Sequence, residues 1–387
     1  MTGGKPADGP PRLVVMQSYR ALRSTTNPYL AQLAAAIGVD VDVVPFAWRR
    51  ALTGSFDVLH AHWPETLLAG RPGIRAVARR VLMLALLVRL SVTRVAVVRT
   101  LHNLSSHESP SAAERWLLAG FDARTTLWIR LNVHTPPPRP GPVVTIRHGH
   151  YRDWFDDLDR PTAVPGRFLT FGLVRPYKGV ENLLARFHEL DDPALTLRVV
   201  GKPSTPALRA EVESLADADP RVSTILDHVD DGRLATEVGE AELVILPYRE
   251  MHNSGALLLA LSLDRPVLVP RGVVTVDLGA EVGKGWVTTF DGDLSAADIV
   301  GSLQRIRERN RANGVQDAGD RPDLGEREWA AIGSEHVSAY RSAVDIRRSH
   351  AEAGATGPTV STRATSPDTP TTTISPRDAT ARPGRTP

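Results

Sequence analysis

The chain has 387 residues, 42% of them hydrophobic, with 46 Lys and Arg against 44 Asp and Glu for a net charge of +2. That length exceeds one ordinary domain and suits two. With no cysteine, a disulfide framework, a thiolate metal site and a cysteine nucleophile are excluded, and the near-balance of charge argues against a general nucleic-acid binder.

Residues 1–11 are polar and rich in Gly and Pro, without the apolar core of a signal peptide, and are expected to be disordered. Apolar runs at Leu13 to Met16, Val41 to Pro45, Val58 to His60, Val95 to Thr100 and Val143 to Ile146 read as strands. Helical patterns lie between them at Pro28 to Ile37, Ile74 to Leu90 and Ser111 to Ala119. Pro28 suits a first helical position, with Asn27 or Thr26 as cap. The stretch from Arg71 to Arg94 mixes Arg71, Arg75, Arg79, Arg80 and Arg89 with Leu, Val and Met. Such a helix either lies on an anionic membrane surface or is a buried helix with a solvated arginine edge. Its longest apolar run, Val81 to Val88, is too short to span a bilayer, which takes about 20 residues.

The linker-like Asp159 to Gly166 precedes a second series. Strands are expected at Phe168 to Leu173, Leu195 to Val200, Val222 to Leu226, Leu243 to Leu246 and Val267 to Val269. Helices are expected at Gly179 to Leu190, Pro206 to Ala216, Gly232 to Val238 and Ser254 to Leu263. Strand and helix in alternation give parallel sheets with helices on both faces. The fold class is therefore α/β, two doubly wound Rossmann-like domains facing a central cleft. The expected organisation is residues 12–160, 161–325, a helix over 326–348 that crosses back, and a disordered Pro, Thr and Ser-rich tail over 349–387.

Ligands in such sheets sit at the carboxyl ends of the strands. Those loops carry His60, His62 and Glu65, then His102, Asn103, His107 and Glu108, and in the second half Arg175, Lys178, Gly201, Lys202 and residues 248–255. In FGLVRPYKG, Lys178 and Arg175 stand before a helix, where two cations and free amides favour a diphosphate. In REMHNSGALLL, Ser254 either caps a core helix or offers its amides, with Gly255, to a phosphate. His102, directly after an apolar strand, is either a structural histidine or a base in the cleft. His60 and His62 share one face of a strand with no third ligand at fixed spacing, so no metal is expected.

Taken in order, FGLVRPYKGVENLLARF, LRVVGKP, AELVILPYREMHNSGALLLALSLDRPVLVP and VVRTLHN resemble the GT-B-fold glycosyltransferases, close to the family 4 type, over roughly Leu13 to Tyr340. The resemblance implies transfer of a hexosyl group from a nucleotide-diphosphate sugar to a hydroxyl acceptor, a lipid-linked saccharide or glycolipid. The nucleotide sugar is a co-substrate and no other cofactor is implied. Lys178, with Arg175 substituting for the arginine that the family places at Leu173, would hold the diphosphate. Gly201, Lys202, His252, Asn253, Ser254 and Gly255 would complete the donor site. Asn103 and His150 would contact the acceptor, and His102, Glu65 and His62 are the candidate bases. The family's pair of glutamates eight residues apart falls on His252 and Ala260 here, which leaves retention or inversion open. A cytoplasmic enzyme, peripheral on the inner membrane face, fits the basic apolar helix. The other readings are an epimerase on the same fold and a non-catalytic binder of sugar nucleotides or glycans.

Overall fold

The structure, a computed structural model, describes residues 12–21, 26–70, 73–102, 111–158, 161–249, 251, 253–312 and 321–355. The first half runs β1 (Val14–Gln17), α1 (Pro28–Gly38), β2 (Asp42–Pro45), α2 (Trp48–Thr53), β3 (Val58–Ala61), α3 (Ile74–Val92), β4 (Ala96–Leu101), α4 (Ala112–Asp122), β5 (Leu127–Arg130) and β6 (Val143–Thr145). Its six strands are all parallel, in the order β2-β1-β3-β4-β5-β6.

The second half runs β7 (Arg167–Phe171), α5 (Val180–His188), β8 (Thr196–Val200), α6 (Pro206–Asp217), β9 (Val222–Ile225), α7 (Asp231–Gly239), β10 (Leu243–Ile245), α8 (Gly255–Ser262), β11 (Val267–Pro270), α9 (Val273–Val282), β12 (Val287–Phe290) and α10 (Ala296–Ala312). This sheet is also parallel, in the order β12-β11-β10-β7-β8-β9. The strands of both sheets read as near-continuous apolar runs because helices cover both faces.

Tyr151 and Phe155 already pack in the core of the second half. The chain therefore crosses near His150, ahead of the expected boundary at 160. It returns through α11 (Trp329–Ala355), whose Trp329, Ile332, Val337 and Tyr340 complete the core of the first half beside Val15, Tyr29 and Leu33. Residues 349–355, expected in a disordered tail, continue this helix. Ala351 and Glu352 are strong helix formers, so the helix extends past its last buried residue.

Candidate active site

The second half builds its part of the site from two glycine turns. Gly172 (φ 95°) ends β7 and Gly201 (φ 143°) ends β8. A Cβ on Gly201 would fall 2.1 Å from the carbonyl oxygen of Gly172, so only glycine lets the two turns meet. A 3₁₀ turn at Pro176–Lys178 then leads through Gly179 into α5. Lys178 is half-buried, with Nζ 4.9 Å from the centre of the Tyr248 ring. Burial lowers its ammonium to about 8, and the charge of Arg175 acts in the same direction against an opposing effect of Tyr177. Two neighbouring cations are thus held together, and among the described residues neither forms an ion pair. Lys202 is exposed beyond Gly201. Ser254 caps α8 by accepting from the amide of Leu257 at 3.2 Å. The helix opening at Gly255 points its first amides outside the helical ladder.

Asn253 turns the other way. Its Nδ2 donates to the carbonyl of His102 at 3.0 Å, and its Oδ1 accepts from Asn132 at 2.9 Å. It therefore joins the loop before α8 to the first half. His252 and Asn103, with His107 and Glu108, lie outside the described residues.

In the first half, β3 and β4 deliver the histidines. His102 follows β4, is 7% exposed and stacks on Trp63 at 4.2 Å between ring centres. Its Nε2 is 3.1 Å from Nδ1 of His62. The other nitrogen of His62 is 3.0 Å from Oε1 of Gln17, and Nε2 of Gln17 donates to the Tyr340 hydroxyl at 3.3 Å. That hydroxyl lies 2.8 Å from Nδ1 of His60, whose Nε2 lies 2.8 Å from Thr100 Oγ1. The carbonyl oxygen of Gln17 only accepts, so His62 carries its proton on Nε2 and accepts at Nδ1. His102 then donates through Nε2 and keeps a lone pair on Nδ1.

Burial first, then the neighbouring imidazoles, hold His60 and His102 well below the usual imidazole range; burial and His336 bring His62 to about 3. The cluster is neutral at physiological pH. Both nitrogens of this candidate base are engaged, Nδ1 with His102 and Nε2 with Gln17. Glu65 is half-buried in the 3₁₀ turn Pro64–Leu67, three residues beyond His62.

His150 is only 1% exposed. Its Nε2 lies 3.2 Å from Oε1 of Glu328 and its carbonyl accepts from Trp329 Nε1 at 2.7 Å, so the structure sets it in the strut that carries the chain between the halves. Sequence reasoning missed Gln17, Tyr340, Trp63 and Asn132. Gln17 had a usable signal, a polar residue closing an apolar strand; Tyr340 had none, because it reaches His60 and Gln17 from 280 and 323 positions away.

A cavity of about 450 Å³ lies between the halves. Asn132 and His134 after β5, Arg147 after β6, Asn253 and Ser254 before α8, and Glu281 of α9 line it. It includes neither Lys178 nor Gly201, although it reaches Asn253 and Ser254. A hydrogen bond between His134 Nε2 and Asp277 Oδ2 at 2.6 Å and an ion pair of Arg327 with Glu281 at 2.6 Å lie beside it. Among the described residues no three His, Asp or Glu side chains converge as a metal would require.

No family model matches the chain. A GDP-mannose:glycolipid 4-beta-D-mannosyltransferase of Xanthomonas campestris pv. campestris is 46% identical over 334 residues, covering 86% of this chain and 93% of its own. The chain belongs to the GDP-mannose:glycolipid 4-beta-D-mannosyltransferase family. This glycosyltransferase is a hexosyltransferase, which decides for sugar transfer against the epimerase and the non-catalytic binder. A second sequence of that name from the same organism matches with equal identity and coverage.

Solved structures share the enzyme's two-domain GT-B fold. Anabaena Alr3699/HepE in complex with UDP-glucose matches with a TM-score of 0.54 and 13% identity, over 88% of this chain and 99% of that one. AviGT4, a glycosyltransferase involved in avilamycin A biosynthesis, matches with a TM-score of 0.51 and 15% identity, over 86% and 98%. Among the described residues no helix of the glycosyltransferase is long and apolar enough to cross a membrane.

Proposed function

We propose that the enzyme transfers mannose from GDP-mannose to a hydroxyl of a glycolipid with inversion, using His102 as the base. The hydrogen bond from Asn253 to the His102 carbonyl carries this reading, because it brings the donor loop to the residue after β4. GDP-mannose holds its sugar in an α bond to phosphate, so a β-mannoside requires attack from the opposite face. The acceptor oxygen bonds to C1, the bond from C1 to the phosphate oxygen breaks, and GDP leaves with the electron pair. The acceptor proton passes to Nδ1 of His102. Arg175, Lys178 and the amides at the α8 opening meet the charge that develops on the leaving diphosphate. That chemistry asks for no cofactor beyond the nucleotide sugar.

The acceptor implies a place at a membrane, which α3 supports. Its inner face buries Ala76, Met83, Leu86, Leu87 and Leu90, while Ile74 (89% exposed), Val77, Val81, Leu84, Val88 and Val92 (78% exposed) form an outward apolar stripe. Exposed Arg75 and Arg94 stand near its two ends. An apolar stripe with flanking cations suits the interface of an anionic bilayer.

Radiolabelled GDP-mannose incubated with the enzyme and a bacterial lipid extract tests the transfer. A labelled glycolipid with a β-configured mannose is expected, and His102→Ala lowers kcat by about 10²- to 10⁴-fold. Transfer from UDP-sugars alone, an α product, or an unimpaired His102→Ala enzyme overturns the reading.

A further inference from the structure

The strands β1, β3 and β4 are neighbours in the first sheet, and α11 packs on β3 and β4. Gln17 closes β1, His60 and His62 stand on and just beyond β3, and Thr100 and His102 stand likewise at β4. Gln17, His60 and the Tyr340 that α11 brings to them are fully buried. Burial keeps the histidines neutral, so each has one nitrogen that donates and one that accepts. The hydroxyls of Thr100 and Tyr340 can do either.

Gln17 is the member whose two ends are fixed. Its carbonyl oxygen accepts from His62 and its amide nitrogen donates to Tyr340. Turning that amide end for end would reverse every bond between it and His102. His62 would then carry its proton on Nδ1 and donate to His102. His102 would accept at Nε2 and keep its own proton on Nδ1, the nitrogen that needs a lone pair in a base. Stacking on Trp63 already fixes the plane of the His102 ring, so the place of the proton is what remains to be set. The amide also ends the route. It accepts a hydrogen bond but passes no proton on, so a proton taken up at His102 stays on the His102 and His62 pair.

We propose that Gln17 is a positioning residue, which through His62 holds His102 in the tautomer whose Nδ1 can take the acceptor proton, and that Tyr340 of the returning helix holds Gln17. The proposal rests on the reading of His102 as the base.

Long-range proton–nitrogen NMR spectra of the full chain labelled with ¹⁵N-histidine test it, with His62→Asn and His102→Ala to assign the signals. Wild-type enzyme is expected to show both His62 and His102 protonated on Nε2 alone. In Gln17→Leu that single form is lost, kcat falls about 10²-fold and KM for GDP-mannose is unchanged. Gln17→Glu, which still offers His62 an acceptor, restores the Nε2 form and most of kcat. Tyr340→Phe removes only the hydroxyl that holds the amide and covers the case in which Gln17→Leu fails to fold. It is expected to mix the tautomers and to lower kcat by about tenfold. His62 protonated on Nδ1 in the wild type overturns the proposal. So do wild-type tautomers or an undiminished kcat in both Gln17→Leu and Tyr340→Phe, or a folded Gln17→Glu as impaired as Gln17→Leu. The tautomers are read without turnover, so the two readings fail separately. Expected tautomers with an unimpaired His102→Ala enzyme overturn the base reading and the positioning role with it, whereas a wrong tautomer with an impaired His102→Ala enzyme overturns the role of Gln17 alone.

Discussion

Lys178 is held between the Tyr248 ring and the turn at Gly172, beside Arg175 and without a carboxylate partner among the described residues. A lysine lowered to about 8 is half-charged at that pH and close to fully charged only about a unit below it. A bound diphosphate favours the charged form and raises its pKa again. GDP affinity is therefore expected to be constant below about pH 7 and to weaken as pH rises through 8 towards about 9.5. In Lys178→Arg, whose charge persists, the weakening disappears. Titration calorimetry across that range checks this, and a flat wild-type profile removes Lys178 from the diphosphate site. The missing glutamate pair belongs to the same scale. Ala260 is fully buried inside α8, so a carboxylate at that position has no place in this packing.

At the scale of elements, α3 has two apolar faces on one helix, and only one of them meets the protein. Val81→Glu with Val88→Glu leaves the inner face intact. Flotation with vesicles containing phosphatidylglycerol is expected to recover the wild-type enzyme and to lose most of this double variant, with GDP binding equal in both. Equal flotation would remove the stripe from the membrane contact. The sequence made α3 and its arginines legible, along with α1, where Asn27 caps by accepting from the amide of Tyr29 at 3.0 Å. It did not separate the outward from the inward apolar face, because apolar residues stand on both sides of its arginines.

Other elements escaped for local reasons. The strand β5 is four residues long and ends in Arg130, so its pattern is too short to read. The β-branched residues of α9 (VVTVDLGAEV) argue for a strand, yet Thr275 Oγ1, accepting from the amide of Gly272 at 2.9 Å, and packing against β12 make it a helix. In α10 the polar surface of RIRERN hides Ile299, Leu303 and Ile306, which pack into the core. The glycine turns after β7 and β8 were legible because glycine and lysine punctuate a strand and a helix. The hydrogen-bonded route from His102 to Tyr340 was not, because its members come from β1, β3, β4 and α11.

At the scale of the whole molecule, the buried histidines couple fold to pH. His62 is lowered to about 3, and His148 and His336 to about 4, in each case chiefly by burial. Above pH 6.5 both folded and unfolded chains hold them neutral, and their contribution to stability is complete. Below it the unfolded chain takes up protons that the folded chain refuses, so stability falls by about 1.4 kcal/mol per pH unit for each such group. The urea midpoint is expected to drop steeply from pH 6.5 to pH 5. His336→Gln should make that drop shallower by one proton, and an equal slope in the two proteins would remove His336 from the titration.

The return of α11 has a consequence for the order of synthesis. The core around Val15, Tyr29 and Leu33 is closed by Trp329, Ile332, Tyr340 and Val344. A ribosome that has finished the first half has therefore made a sheet with an open apolar groove, and the helix that fills it is among the last described segments to be translated. The second half can fold in the interval, but the first half waits. During translation the nascent chain carries an unfilled groove directly beside the His62 and His102 cluster, so those side chains gain their neutral, enclosed setting only after the rest of the enzyme has been made.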